Sequence, residues 1–478
     1  MITMIQRKIL IRNGYVITMD SQRTTLSRGE VLIGDDKILA VGHGLPEDDA
    51  EIVDADGGII MPGFVDNHRH MWQTNLRAML ADWTLHEYMR GIRFSISPVL
   101  RPEDIGAGNY IGALEALNAG VTTVFDYSHS NNSPDHATAG VEALQQSGMR
   151  AVYGYGLVPA PIDHPAFQSV EDRIRDAERI HNDYLSSTTA LVTMGMALTE
   201  TGLIPWSSTT KEVNAARAMD VPMSIHNNNY FGVTVSQGVA PMYKHGLLGP
   251  DQIHVHCNTS TPDEFRMLAD HGCTIVSTPD TEIQMGMGHP VFNEAKQYGI
   301  RSTVGCDIIT LNGGDIVGQL RLGLQDARVR VNDTFNARKE MPLRLTTSSM
   351  DSLAWGTING AEALGLGSVT GSLEAGKQAD VIIIKGDSPN LWPINEEPGT
   401  VVFHSHPGDI DTVFVAGKAV KRGGRLVGVD YAAARKQAED SRDWILAEVM
   451  KVSGMVLPPE ESMSLISVEE TAVANMEL

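Results

Sequence analysis

Eight short apolar runs recur between residues 58 and 370, and stretches of helical periodicity separate them. The runs fall at 59–66, 121–126, 150–157, 190–197, 221–226, 252–257, 273–278 and 302–307. Helical texture is clearest at 107–118, 171–184, 210–219 and 262–270. Strands alternating with helices bury a parallel sheet under crossover helices. Eight such units predict an α/β fold built on a (β/α)₈ barrel, and a doubly wound open sheet is the alternative.

The flanks have a different texture. Residues 1–57 carry short strand-like pieces with tight turns, such as Ile9-Leu10-Ile11-Arg12 before Asn13-Gly14. Strand-like runs at 379–384 and 412–420 repeat that style near the other end. The two flanks, 1–57 and 371–430, predict one small composite β-sandwich domain beside a catalytic barrel at 58–370. Residues 431–478 begin as a helix and end in a polar tail.

Composition removes several function classes. A net charge of −22 repels phosphate, so no nucleic-acid partner is expected. No apolar run reaches the roughly 18 residues of a membrane span, so no membrane partner is expected either. The segment Met1 to Lys8 lacks the apolar core of a signal peptide. Three cysteines, Cys257, Cys273 and Cys306, are too few for a disulfide framework. A cytoplasmic protein is the expectation.

The chemistry-bearing residues cluster at the ends of the predicted strands. Successive strand residues alternate faces, so His68 and His70 point the same way. His226 ends the fifth run, His254 and His256 lie in the sixth, and Asp307 ends the eighth. Each alone has a bland reading as a turn, cap or core residue. Together they would sit on the one rim where barrels do chemistry. Three imidazoles and one carboxylate with an open position match a catalytic zinc or iron site.

The run Pro62-Gly63-Phe64-Val65-Asp66-Asn67-His68-Arg69-His70 resembles the opening motif of the amidohydrolase superfamily. Gln73 and Arg77, Leu117 to Thr123, His245 to Pro250, Asn359 to Leu366 and Gly371 to Val381 extend the resemblance. They are similar to the aminohydrolase and triazine-hydrolase branch, which holds cytosine, guanine and S-adenosylhomocysteine deaminases. The resemblance implies His68, His70, His226 and Asp307 as ligands of one divalent ion, zinc or else iron. It implies His256 as a metal-proximal or proton-handling histidine; His254 has the same strand parity, so it is expected to pack one layer deeper in the barrel interior. It also implies a small-molecule substrate and a homo-oligomer. Two-metal members carry a fourth-strand lysine; Leu191 to Leu198 has none, so the site is expected to be mononuclear. A bound divalent ion would lower the pKa of its water and supply hydroxide, with Asp307 as base.

Two departures from the branch leave the reaction open. Its deaminases carry a glutamate three residues after the fifth-strand histidine; here Asn229 stands there. An amide can bind substrate but cannot shuttle protons. The seventh-strand segment reads Ser277-Thr278-Pro279-Asp280-Thr281-Glu282, so Glu282 is the candidate replacement acid, with Asp280 beside it. A capping role for Glu282 is the competing reading. Gln73, Trp72 and Asn229 are candidate substrate contacts. Trp83, Tyr127, Tyr155, Tyr230 and Phe231 could stack on a flat ring or simply pack, and His129 could touch substrate. The leading expectation is deamination of a small nitrogen-containing ring. The alternatives are amide, urea or carbamate hydrolysis of the phenylurea-hydrolase type and, remotely, a non-catalytic binding protein on the same fold.

Overall fold

The computed structural model describes residues 7–230, 236–454 and 456. Eight strands run parallel in chain order: β1 (Phe64–Arg69), β2 (Val121–Ser128), β3 (Arg150–Gly156), β4 (Val192–Ala197), β5 (Met223–Asn227), β6 (Gln252–His256), β7 (Thr274–Ser277) and β8 (Arg301–Val304). Each pairs with the next. Just past β8, Asp307 bridges Arg69 in parallel register and draws the ring closed. There the Asp307 amide donates to the His68 carbonyl at 2.8 Å and the His70 amide donates to the Asp307 carbonyl at 2.9 Å. Gly305 permits this approach, because a Cβ there would lie 2.6 Å from the His68 carbonyl oxygen. The barrel, not the open sheet, is the fold.

The first predicted run, 59–66, is two strands rather than one. Ile59–Pro62 belongs to a second sheet, between Val381–Ile384 and Lys8–Ile17. Phe64–Arg69 then opens the barrel. Gly63 is the joint, where a Cβ would stand 2.2 Å from Thr122. Both strands are fully buried, so hydropathy runs unbroken across the change of sheet.

The second sheet has nine strands, mostly antiparallel, drawn from both flanks of the barrel. Lys8–Ile17, Thr25–Gly34, Lys37–Gly42, Ala50–Asp54 and Ile59–Pro62 precede the barrel. Val381–Ile384, Ile410–Val415, Lys418–Arg422 and Arg425–Leu426 follow it. Alternating side chains such as Ile9, Ile11, Val31, Ile33, Val381 and Ile383 form its own core. A buried ion pair ties it to the barrel: Arg150, which starts β3, donates to both oxygens of Asp380 at 2.7 and 3.0 Å.

The C-terminal helix Tyr431–Ser453 lies against the barrel through Ile445 and Val449, in one cluster with Trp72, Tyr88, Ile92 and Met285. Ser441 donates to Asp104 at 2.8 Å from the same helix. Among the described residues no helix is long and apolar enough to cross a membrane.

Candidate active site

The strand ends gather the titratable side chains. At the end of β1, past a register shift between Asp66 and Arg69, His68 and His70 both turn to the barrel mouth, while Asp66 accepts from the Cys306 amide at 3.1 Å and lies 3.6 Å from Arg69. Arg69, between the histidines, turns away to Glu115 Oε2 at 2.7 Å and the Gly314 carbonyl at 3.2 Å. Asp307 Oδ1 lies 3.3 Å from His68 Nε2 and 3.3 Å from His70 Nε2. From β5, His226 brings its Nε2 to 3.3 Å from His68 Nε2. His256 joins His68 and His226 in a second grouping of close ligand atoms. The backbone is bent to achieve this. His256, Cys257 and Asp307 hold left-handed φ values of 76°, 58° and 61°. Such non-glycine geometry costs about 1–3 kcal/mol each and marks strand ends that aim functional groups.

Proton positions test whether a cation fits. His70 Nδ1 lies 2.8 Å from the Tyr127 carbonyl, which only accepts, so Nδ1 carries the proton and Nε2 offers a lone pair. His226 Nδ1 faces Glu200 Oε1 at 3.1 Å, which fixes the same tautomer. Burial pushes His226 down to about 4 and His68 well below the usual imidazole range, so both rings are neutral. Burial pushes Asp307 up, but the His68 and His70 rings that face it outweigh this and hold the carboxyl well below its usual range. The result is a nest in which the fixed lone pairs of His70 and His226 meet the Asp307 carboxylate and His68. Such a nest is costly unless a cation sits in it, so these residues fit a divalent metal.

The nest opens into a cavity of about 280 Å³. His70, His226, His256 and Asp307 reach it from the strand ends, as do His129 and Glu200. One wall is mostly apolar and comes from a single segment: Leu85, His86, Tyr88, Met89, Arg93 and Phe94. Met285, Met287 and Ile308 face it from the β7 and β8 loops. Asn229 and Tyr230 lie on the β5 side.

The candidates divide by position. His68, His70, His226, His256 and Asp307 come together. His254, expected one layer deeper inside the barrel, instead shares the face of its neighbour Ile225 and packs against Asn227 Nδ2 at 3.1 Å, on the side of the helix Val239–Lys244. Asn229 lines the cavity, and its Oδ1 has no partner among the described residues. Glu282 does not line the cavity; its Oε1 accepts from the Thr278 amide at 2.9 Å and lies 3.2 Å from His256 Nδ1, so its contact with the site is through His256. Asp280 is bound to Gln319 at 2.7 Å.

Gln73 and Trp72 are not on the cavity surface either. Gln73 spends its amide on Tyr88 at 3.0 Å and Thr310 at 3.1 Å. Trp72 donates to His129 Nδ1 at 3.0 Å and so orients a ring that does line the cavity. His129 stacks on His70 with centroids 4.1 Å apart. Tyr127 and Tyr155 are buried, tied to the Leu198 carbonyl at 2.6 Å and to Asp176 at 2.8 Å. Trp83 packs at the edge of the cluster behind the wall. Phe231 lies outside the described residues.

Among the cavity residues that the sequence does not single out are Glu200 and Arg93. Glu200 sits three residues past β4, in the connection that follows the strand. Arg93 sits in a π-helical turn, Met89–Ile96, between β1 and the helix Pro102–Asn118. Its signal is a basic residue spaced four from Met89 in an apolar stretch, which the wider i→i+5 winding brings to the face shared with Met89 and Phe94.

Comparison with known proteins finds the amidohydrolase family model matching residues 59–420. Among curated relatives, the 5'-deoxyadenosine deaminase of Methanobrevibacter smithii is 26% identical over 87% of this chain and 94% of its own. The 5-methylthioadenosine/S-adenosylhomocysteine deaminase of Pyrococcus furiosus is 26% identical over 88% of this chain and 97% of its own. Among solved structures, a zinc-bound adenosine deaminase from Xanthomonas campestris superposes with a TM-score of 0.79 at 22% identity, covering 92% of this chain and 98% of that one. The atrazine chlorohydrolase of Arthrobacter aurescens with zinc gives 0.80 at 22% identity, covering 91% and 100%. At these identities the solved structures establish the fold.

Proposed function

The chain belongs to the amidohydrolase family, and from that premise we propose a mononuclear zinc aminohydrolase that deaminates a flat nitrogen heterocycle, an aminopurine nucleoside or a close relative. It is a hydrolase of carbon–nitrogen bonds other than peptide bonds. One observation carries the reading. His68, His70, His226 and Asp307 converge where Glu200 and His256 also meet a largely apolar cavity. The deaminases acting on adenosine derivatives among its relatives support the substrate class.

His68, His70, His226 and Asp307 would hold the ion, which when bound supplies Lewis acidity and acidifies a water toward neutral pH. Asp307 takes a proton through the carboxylate oxygen not committed to His68 and His70. His256, with Glu282 behind its Nδ1, can gain a proton and pass it on through Nε2. Glu200 supplies the carboxylate that Asn229 cannot. Its Oε1 is fixed by His226, while Oε2 has no partner among the described residues and is free for a substrate nitrogen. Asn229 binds the ring edge through its amide.

A second reading rests on Asn229 itself. In a carbonyl C–N hydrolase the tetrahedral adduct collapses without ring-nitrogen protonation, and an amide suits the substrate's carbonyl substituent. A screen over aminopurine nucleosides, triazines, phenylureas and aryl amides, with ammonia and organic amine assayed separately, decides between them. Ammonia from an aminopurine supports the proposal; an organic amine from a urea or amide replaces it.

The exposed Met341, Leu343 and Leu345 support a homo-oligomer. Three free, buried cysteines support a reducing, cytoplasmic setting. Light scattering reads the first directly.

A further inference from the structure

Arg93 is 7% exposed and lines the cavity. Its Nη1 is buried without a hydrogen-bond partner among the described residues. A guanidinium stays charged at every pH the protein meets. Buried charge without a counter-ion is strongly disfavoured. Glu200 feels the charge of Arg93, but its Oε1 is engaged by His226, its Oε2 has no partner, and no ion pair joins the two among the described residues. A second orphan lies near: the Tyr230 hydroxyl lines the same cavity, has no partner among the described residues, and also feels Arg93. Beside them stand the apolar side chains of Met89 and Phe94.

We propose that Arg93 and the Tyr230 hydroxyl form an anion-binding subsite, and that the substrate carries a carboxylate. The guanidinium fork matches a carboxylate's two oxygens, and the phenol adds a third donor. Phe94 and Met89 hold the apolar part of the molecule. The subsite deepens the aminohydrolase reading and rests on it for the identity of the reacting group only.

The test uses the zinc-loaded protein and two isosteric probes, benzoate and benzamide, with binding measured by calorimetry. Wild type is expected to prefer benzoate by about 10- to 100-fold, the range of a charge-assisted contact. Arg93→Met should abolish that preference at unchanged zinc content, and Arg93→Lys should keep part of it. Arg93→Met should also melt higher than wild type without ligand, since an uncompensated charge has gone, whereas loss of a merely structural arginine would lower the melting temperature. A benzoate preference that survives in Arg93→Met, as when the metal alone holds the anion, would overturn the subsite. So would equal binding of both probes to wild type. Matched amine substrates with and without a carboxylate complete the experiment. If neither releases ammonia, the aminohydrolase reading fails while the probe preference still decides the subsite.

Discussion

Asp307 meets two demands at once. It faces two histidines at 3.3 Å and, in the proposed reaction, accepts a proton. Asp307→Asn keeps the shape and removes the base. Turnover should fall by about 10²–10⁴-fold, with zinc content measured beside it; near-normal turnover at full zinc would exclude Asp307 from the chemistry. The two glutamates differ in kind. Glu200 faces the cavity, so Glu200→Gln should lose at least about 10²-fold in ammonia release. Glu282 only holds His256, and a glutamine there still offers an oxygen to Nδ1, so Glu282→Gln should shift the pH profile more than the maximal rate. The reverse ranking, with Glu282→Gln the more damaging, would make Glu282 the acid and leave Glu200 a support for His226.

Among elements, the segment from Leu85 to Phe94 supplies most of one cavity wall, so in the proposed reaction it would govern which substrates fit. The C-terminal helix packs behind it. Two contacts elsewhere hold the elements in register. Arg150 and Asp380 join the second sheet to β3 in a buried pair, so Asp380→Ala leaves a buried guanidinium alone. It should cost about 3–5 kcal/mol in denaturant unfolding, and a loss under about 1 kcal/mol would mean the pair is solvated.

Asp351 caps the helix Ser349–Trp355 and pairs with Arg23 at 2.7 Å, tying that helix to the turn after the first strand. Burial raises its carboxyl, but the Ser348 amide, Arg23 and Lys296 outweigh it and bring it to about 2. A carboxyl lowered on folding stabilises above its unfolded value and loses that contribution as pH falls toward the folded one. Asp351→Asn should therefore cost about 1–2 kcal/mol at neutral pH, and the gap to wild type should close between pH 4 and 2. A gap independent of pH would assign the effect to packing.

For the whole molecule, the barrel was legible because eight buried parallel strands leave eight apolar runs, and the convergence of His68, His70, His226 and Asp307 because all four lie at strand ends. The joint at Gly63 was hidden, since Ile59–Pro62 and Phe64–Arg69 are equally buried in different sheets. Glu200 and Arg93 were hidden for another reason: both lie in connections after strands, where periodicity carries no information and only the closed fold brings them to the cavity. Gln73 and Trp72 sit close along the chain to His70 yet behind the cavity, because chain proximity does not say which way a side chain turns. The central claim is one metal and one released ammonia. Metal-free protein titrated with zinc, with ammonia release from aminopurine nucleosides followed at each addition, should gain activity linearly and level off at one equivalent per chain. Activity that needs two equivalents, or that appears without ammonia as the product, would contradict the account.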